Sequence, residues 1–249
     1  MPQLGGKFAF ATKKVRIGAA PLAVNFSSGY DSVSKFIKES PMKLFYSPGA
    51  CSLAPHIVMA ELNMAYELEA VNLKDKTCAS GNYNMINPKG SVPALKMDNN
   101  EILTEGAIIS QFLADQKNDG IIFGKYGTTE RYRTLEWMNY ISTEVHKNFS
   151  PLFGLDTIYK NAEAKAEVKA FYTNCLSDKF NFLSEKIGTN NFLMGSQFTI
   201  ADAYLFTCFT WTEYVGIDLS AWTNLTTYMN RIYERPAVMR ALKEEGLLK

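Results

Sequence analysis

The segment Tyr46-Ser47-Pro48-Gly49-Ala50-Cys51-Ser52 carries the strongest structural signal in the chain, because it places a thiol where a strand passes into a helix. Lys43–Tyr46 is typical of a short strand. Pro55 has no backbone N–H to donate, so the helix should begin a few residues before it, near Cys51 or Ser52. Apolar residues then recur at helical spacing, at Leu53, Ile57, Ala60 and Met64.

This position gives Cys51 a possible chemical role. At a helix N-terminus a thiol lies beside unpaired N–H groups and the positive end of the helix dipole, which lower its pKa and stabilise the thiolate. The alternative is a small apolar cysteine packed under the turn. The local pattern alone leaves both readings open.

Composition limits the class of protein. The 249 residues are 47% apolar and 20% charged, which is ordinary for a soluble globular chain of one or two domains. The net charge of +1 gives no electrostatic case for nucleic acid binding. The sequence lacks zinc-like cysteine pairs, a phosphate-binding loop and an apolar run of about 18 residues, so we expect no metal site and no membrane span. Four widely spaced cysteines favour a reducing compartment.

We do not expect residues 1–41 to belong to the same fold as the rest of the chain. They carry six Lys or Arg and two acids, whereas the rest of the chain has 20 basic and 23 acidic residues. They show no sustained periodicity and contain Gly5-Gly6 and Pro21. We expect a disordered extension or a misassigned start, with Met42 as the functional beginning. Basic, acid-poor segments also serve as targeting peptides, so the expected cytoplasmic location leaves export or targeting open.

Residues 42–120 predict a small α/β domain. After the first strand and helix we expect a second strand, a loop-rich segment with at most a short helix, two short strands and a closing helix. Their predicted bounds are Tyr66–Leu73, Lys74–Asn87, Ala94–Met97, Glu101–Thr104 and Gly106–Asp115. Asn118–Gly127, with three glycines, is the predicted linker.

Residues 128–249 predict an all-helical domain. Phe198–Asp202 has the pattern of a helix start, in which Thr199 caps the helix and Asp202 reciprocates three residues later. The apolar run Ala203–Phe209 predicts that this helix is buried at the domain centre. The other predicted helices are Glu130–Phe149, Ala162–Ile187, Tyr228–Tyr233 and Ala237–Glu245.

Four motifs in this order give Met42–Lys249 a resemblance to the bacterial beta-class glutathione transferases. They are Tyr46–Ser52, Asn87-Pro88-Lys89-Gly90-Ser91-Val92-Pro93, Leu103-Thr104-Glu105-Gly106 and Phe198-Thr199-Ile200-Ala201-Asp202-Ala203-Tyr204. The resemblance implies a thioredoxin-like domain followed by an all-helical domain, assembled as a homodimer. It also implies that glutathione is the co-substrate, with no further cofactor, and that the second substrate is a small electrophile or a disulfide.

The resemblance assigns the Val92-Pro93 bond as cis, with the Val92 backbone turned toward the ligand. An extended peptide can then pair with its N–H and C=O as an added strand, and the cysteinyl unit of glutathione is the expected occupant. An ordinary trans loop is the alternative, since two prolines and a glycine also make a simple turn.

Glu105 follows a strand and precedes a helix. As a first-turn acid it favours the helix dipole. The resemblance adds that Glu105 holds the γ-glutamyl ammonium of glutathione, while backbone N–H groups at Gly106 and beyond take its α-carboxylate. Lys76 also matches a family position and can pair with a ligand carboxylate, although a solvated surface lysine is the competing reading.

On the long helix Asn139, Thr143 and His146 fall at i, i+4 and i+7 and form one polar stripe. Such a stripe is often only a solvated face. The resemblance places it over the thiol site, where His146 hydrogen-bonds the glutathione sulfur and Lys147 adds positive charge. Tyr46 aligns with a residue that activates sulfur in some relatives, but is subordinate to Cys51.

Three functions remain open from the sequence. The first is conjugation of glutathione to small electrophiles, a detoxification chemistry, in a pocket near Phe149–Phe153 and Trp211–Tyr214. The second is glutathione-dependent thiol–disulfide exchange through Cys51, with Ala54 at the C-x-x-C partner position favouring a monothiol mechanism. The third is a noncatalytic binding or scaffold protein that has kept only the fold.

Overall fold

The computed structural model describes residues 41–117 and 120–248. The predicted extension therefore lies outside the described residues, apart from Pro41. The first domain contains β1 (Met42–Tyr46), α1 (Leu53–Glu61), β2 (Tyr66–Asn72), β3 (Thr77–Cys78), β4 (Gly81–Asn82), β5 (Ala94–Lys96), β6 (Ile102–Thr104) and α2 (Gly106–Lys117). This order of elements is the predicted thioredoxin-like one.

The strands form one mixed sheet in the order β4-β3-β2-β1-β5-β6. β1 runs parallel to β2 and antiparallel to β5, with Leu44 opposite Leu68 on one side and Leu95 on the other. α1 and α2 pack against each other. The fully buried Leu44, Ile57 and Ile109 belong to the core between these helices and the sheet. The β1–α1 connection thereby carries the segment Ser47–Ser52 to one end of the sheet.

The segment Lys74–Asn87, predicted as loop with at most a short helix, also contains strands. β3 and β4 extend the sheet beyond β2, with Val71 opposite Cys78, and a 3-10 turn follows at Tyr83–Met85. Each of these strands has only two residues. Such a short strand has no alternating pattern to detect, which is why the sequence did not show them.

The second domain contains α3 (Thr129–Tyr140), a π-helical segment (Ile141–His146), α4 (Lys147–Phe153), α5 (Leu155–Ile158), α6 (Ala162–Ile187), α7 (Ile200–Val215), α8 (Thr223–Tyr233) and α9 (Pro236–Glu244). α7 is buried on nearly all sides and packs against α1 of the first domain, as does α9. No helix within residues 41–117 and 120–248 has the length and apolar character needed to cross a membrane.

The predicted capping box at the start of α7 is confirmed. The Asp202 carboxylate accepts hydrogen bonds from the backbone N–H and the hydroxyl of Thr199, both at 2.8 Å. It also accepts from the Leu193 N–H and the Tyr228 hydroxyl. Four donors satisfy a fully buried carboxylate and fix where the helix begins.

The predicted long helix over Glu130–Phe149 is helical throughout, but it contains a π-helical segment that the sequence did not show. α3 ends at Tyr140, the chain widens into the π-helical segment Ile141–His146, and α4 then continues to Phe153. A π turn inserts extra backbone, so side chains beyond it no longer follow the 3.6-residue period. The predicted polar stripe therefore does not keep one register along this part of the chain.

Candidate active site

Cys51 lies immediately before α1, whose N-cap is Ser52, as the sequence predicted. The buried Ser52 hydroxyl accepts a hydrogen bond from the Ser47 N–H at 3.2 Å and so holds the preceding turn in place. The Cys51 thiol donates to the backbone oxygen of Val92 at 3.1 Å. The Val92-Pro93 peptide bond is cis, as expected.

The expected lowering of the Cys51 pKa is wrong. Burial raises the pKa of this thiol to about 12, and the negative charge of Glu105 acts in the same direction. The backbone N–H groups of Cys51 and Ser52 lower it, as the helix terminus predicts, but by less. The free-energy cost of removing the thiolate from water is larger than the stabilisation that the two backbone N–H groups provide.

A cavity of about 1170 Å³ opens between the domains beside Cys51. Four of the predicted site residues line it: Cys51, Lys76, Val92 and His146. Its opposite wall is mainly apolar and aromatic, and includes Phe153, Trp211, Tyr214, Tyr233 and Leu247. The aromatic pocket predicted near Phe149–Phe153 and Trp211–Tyr214 thus lies in the same cavity as the thiol.

Glu105 adopts a left-handed backbone conformation, with φ of +72°, and its side chain is exposed. The ammonium group of Lys89 contacts one Glu105 carboxylate oxygen and donates to the Thr104 hydroxyl at 2.9 Å. Sequence reasoning missed Lys89, although it lies in the quoted Asn87–Pro93 motif. The available signal was the positive charge of Lys89 within this motif, which can pair with a carboxylate such as that of Glu105.

Gly106 begins α2 directly behind Pro93. A Cβ added at Gly106 would lie 3.5 Å from Pro93 Cγ and 3.9 Å from the Cys51 carbonyl oxygen. These are ordinary van der Waals distances, so the start of α2 lies next to the thiol loop. Glu105 and Gly106 are not among the cavity-lining residues, but they adjoin its polar end.

Lys76 also has a left-handed backbone, with φ of +58°. Its ammonium donates to the Gly90 carbonyl at 2.7 Å. This bond ties the loop after β2 to the segment that leads into Val92. Lys76 therefore has a structural contact of its own, beside the ligand role that the resemblance implies.

His146 is half-buried, and Nδ1 lies 2.7 Å from the Tyr204 hydroxyl oxygen. The Trp211 ring packs against the imidazole, with 4.8 Å between ring centroids. Burial, with a smaller effect of the Lys147 charge, lowers the pKa of His146 to about 4, so the ring is neutral at pH 7. Asn139 and Thr143 are exposed and do not line the cavity.

The second domain also holds the loop that precedes Cys51. The Trp211 indole N–H donates to the Gly49 carbonyl at 2.7 Å, and the Gly49 N–H donates to the Glu245 carboxylate at 2.9 Å. The other Glu245 oxygen pairs with the buried His56 ring, whose second nitrogen contacts Glu244. These partners are more than 150 residues apart in the chain, so no local pattern could reveal them.

Two further predictions concern Tyr46 and metals. Tyr46 packs against the His56 ring, with 6.3 Å between centroids, and is not a cavity-lining residue. Burial, with smaller effects of the Glu245 and Glu244 charges, raises its pKa. Within the described part of the chain, no three His, Cys, Asp or Glu side chains are placed to hold a metal ion.

Comparison with known proteins identifies the family. The models of the glutathione S-transferase N-terminal and C-terminal domains match residues 40–115 and 142–236. Glutathione S-transferase GstA of Escherichia coli O157:H7 is 44% identical over 207 residues, which are 83% of this chain and all of that protein.

Solved structures agree. A glutathione transferase from Methylococcus capsulatus str. Bath is 44% identical with a TM-score of 0.77, and a bacterial beta-class enzyme from Sphingomonas chungbukensis is 40% identical with a TM-score of 0.76. Each match covers 83% of this chain and all of the other. The thioredoxin-like domain, the helical domain and the thiol-bearing cavity between them therefore belong to an enzyme of the glutathione S-transferase family, close to its bacterial beta class.

Proposed function

We propose that this glutathione S-transferase conjugates the thiolate of glutathione to small, largely apolar electrophiles and exchanges glutathione-linked disulfides through Cys51. The observation that carries the proposal is the shared cavity: Cys51, the Val92 backbone and His146 face one space whose far wall is aromatic. The polar side of the cavity suits a peptide thiol such as glutathione. Its apolar side suits an uncharged second substrate.

Glutathione fits the first domain through its backbone and its charges. Its cysteinyl unit pairs with the Val92 N–H and C=O. The Glu105 carboxylate takes the γ-glutamyl ammonium, and the free N–H groups at the start of α2, from Gly106 onward, take the α-carboxylate. Lys76 supplies positive charge for the glycyl carboxylate beside Gly90. This arrangement leaves the glutathione sulfur near Cys51 and His146.

For conjugation, the protein has to favour the glutathione thiolate over the thiol. The neutral imidazole of His146 donates a hydrogen bond to that sulfur, which stabilises the charged form. The thiolate attacks an electrophilic carbon, as in a haloarene: a C–S bond forms and the carbon–halogen bond breaks. The halide leaves and the thiol proton goes to solvent, so the balance needs no further reactant.

For disulfide exchange, Cys51 is the nucleophile. Its thiolate attacks one sulfur of a glutathione disulfide, forming a Cys51–glutathione mixed disulfide and releasing one thiolate. A second glutathione then attacks the glutathione sulfur and regenerates Cys51. Ala54 occupies the place of a resolving cysteine, so this monothiol route uses glutathione itself.

We also propose a cytoplasmic homodimer with a detoxifying role. The apolar side chains of Ile108 on α2 and Tyr132 on α3 are exposed. The family resemblance implies that a second copy of the chain covers them. The cysteines in the described residues are all unpaired, which suits a reducing compartment. Light scattering on the purified protein tests the dimer: a mass of one chain would exclude it.

The test of function is a parallel assay with and without the Cys51 thiol. Wild-type protein with glutathione should turn over a panel of haloarenes and hydroxyethyl disulfide. Cys51→Ala should abolish disulfide exchange and keep part of the conjugation, because the conjugating sulfur belongs to glutathione. Cys175→Ala, on the outer helix α6, is the matched control and should change neither. No wild-type turnover in either assay would overturn the proposal.

A further inference from the structure

Two residues of α7 hold the His146 ring. Tyr204 and Trp211 are seven residues apart, so they project from the same face of the helix. The Tyr204 ring meets the imidazole edge-on with centroids 5.9 Å apart, and the Trp211 ring covers it at 4.8 Å. The capping box at Thr199 and Asp202 sets where α7 begins and thereby the position of both rings.

The Tyr204 hydroxyl is the polar partner of the imidazole. Tyr204 is 5% exposed, and its hydroxyl oxygen lies 2.7 Å from His146 Nδ1. Burial raises the pKa of Tyr204 well above its usual range, so the phenol keeps its proton. A hydrogen bond with the Ser142 side chain acts in the opposite direction and lowers this pKa, by less than burial raises it.

These contacts set the direction of the hydrogen bond. A neutral imidazole has one N–H donor and one acceptor nitrogen. Its acceptor nitrogen is far more basic than a neutral phenol oxygen, so the favourable pairing is O–H to nitrogen. The competing acceptor for the Tyr204 proton is the Ser142 hydroxyl oxygen, which is far less basic than an imidazole nitrogen. In this pairing Tyr204 donates to Nδ1, which leaves the proton of His146 on Nε2.

We infer that Tyr204 is a positioning residue that fixes the Nε2–H tautomer of His146 and directs this N–H toward the sulfur of bound glutathione. The inference rests on the proposed function, which gives His146 its contact with sulfur. The opposite tautomer would present a lone pair to the thiolate and repel it. The Tyr204 hydroxyl thereby determines whether the imidazole stabilises the charged sulfur.

The tautomer can be measured without substrate. The chain has only two histidines, so two-bond proton–nitrogen spectra of full-length protein with ¹⁵N-labelled histidine show two ring systems, assigned with His146→Gln. At pH 7 we expect His146 to carry its proton on Nε2, with Nδ1 shifted by an accepted hydrogen bond. Tyr204→Phe should remove that shift and populate both tautomers. Tyr66→Phe loses a hydroxyl bonded to Glu244, away from α7, and should leave the His146 pattern unchanged.

Kinetics separate positioning from stability. Tyr204→Phe should lower kcat for conjugation about 3- to 10-fold, which is the rate factor that corresponds to the free energy of one neutral hydrogen bond. KM for glutathione should change less than about twofold. Because Tyr204 acts through His146, adding Tyr204→Phe to His146→Gln should cost little more.

Three results would overturn the inference: an Nδ1–H tautomer in the wild type, an unchanged His146 pattern in Tyr204→Phe, or additive losses in the double variant. Lack of wild-type turnover with glutathione would instead overturn the proposed function, and the tautomer measurement would still stand.

Discussion

The Cys51 thiol and the Val92 carbonyl form a hydrogen bond of 3.1 Å across 41 residues of sequence. The acceptor belongs to the same backbone unit that we propose pairs with the cysteinyl unit of glutathione. The nucleophile and the peptide-binding backbone therefore form a hydrogen bond with each other. Glutathione has to compete with the thiol for this oxygen, so occupancy of the cavity changes the surroundings of the Cys51 sulfur.

The raised pKa of Cys51 predicts a slow reaction in the free protein. Only the thiolate alkylates, and a pKa near 12 makes it scarce at neutral pH. We expect iodoacetamide to modify Cys51 at pH 7.5 at least about tenfold more slowly than a small thiol of ordinary pKa, with the rate still rising above pH 9. Peptide mapping by mass measures this, and Cys51→Ser identifies the peptide. A plateau reached below pH 8 would contradict the prediction.

Glu105→Gln should weaken glutathione binding more than it slows turnover at saturation. A hydrogen bond to a charged group contributes about 1.5–3 kcal/mol, so the dissociation constant should rise roughly 10- to 150-fold. Calorimetric titration with glutathione measures it. Glu101→Gln, an exposed carboxylate on the preceding turn, is the control. Equal losses in both variants would point to a general effect of charge and not to a contact.

His146 should remain neutral across the working range of the enzyme. Its folded pKa of about 4 lies below the ordinary value, so the unfolded chain takes up this proton first. Its contribution to stability is therefore intact above about pH 6.5 and declines as the pH falls toward 4. Urea unfolding at pH 7 and pH 5 should show a larger loss for wild type than for His146→Gln. Equal losses would mean that the ring is not held neutral.

His146→Ala should lower turnover more than glutathione affinity. The main anchors for glutathione lie in the first domain, at Val92 and Glu105, whereas His146 contacts the developing charge on sulfur. Losing that bond costs about 1.5–3 kcal/mol, or one to two orders of magnitude in rate. Steady-state kinetics with a haloarene measure this. Ser150→Ala, exposed on α4, is the control, and unchanged turnover in His146→Ala would remove His146 from the mechanism.

Glu245→Ala should destabilise the whole protein. It leaves the buried His56 ring without one carboxylate and the Gly49 N–H without its acceptor. Leaving a buried hydrogen-bonding group without its partner costs about 1–3 kcal/mol for each group. Thermal and urea unfolding measure the loss, and Glu245→Gln, which keeps a carbonyl acceptor, should lose less. If Glu245→Ala had the same free energy of unfolding as the wild type, the contacts of Glu245 would not contribute to stability.

Features that depend on neighbours in the chain were readable from the sequence. The bounds of α6 match the prediction at both ends, and α1 begins after Ser52 as Pro55 indicated. The Thr199–Asp202 capping box joins residues only three positions apart. The motif order also identified the family, and Cys51, Lys76, Val92 and His146 do share one cavity.

The chemistry of these groups depended on contacts between distant residues. Local sequence indicated a low pKa for Cys51, but burial of the thiol raises it. The partners of His146 lie 58 and 65 positions away, at Tyr204 and Trp211, and a π-helical segment changes the register that leads to it. Backbone hydrogen bonds repeat over three or four residues and leave a periodic pattern in the sequence. Desolvation and side-chain pairing depend on which surfaces meet after folding, and that information has no period along the chain.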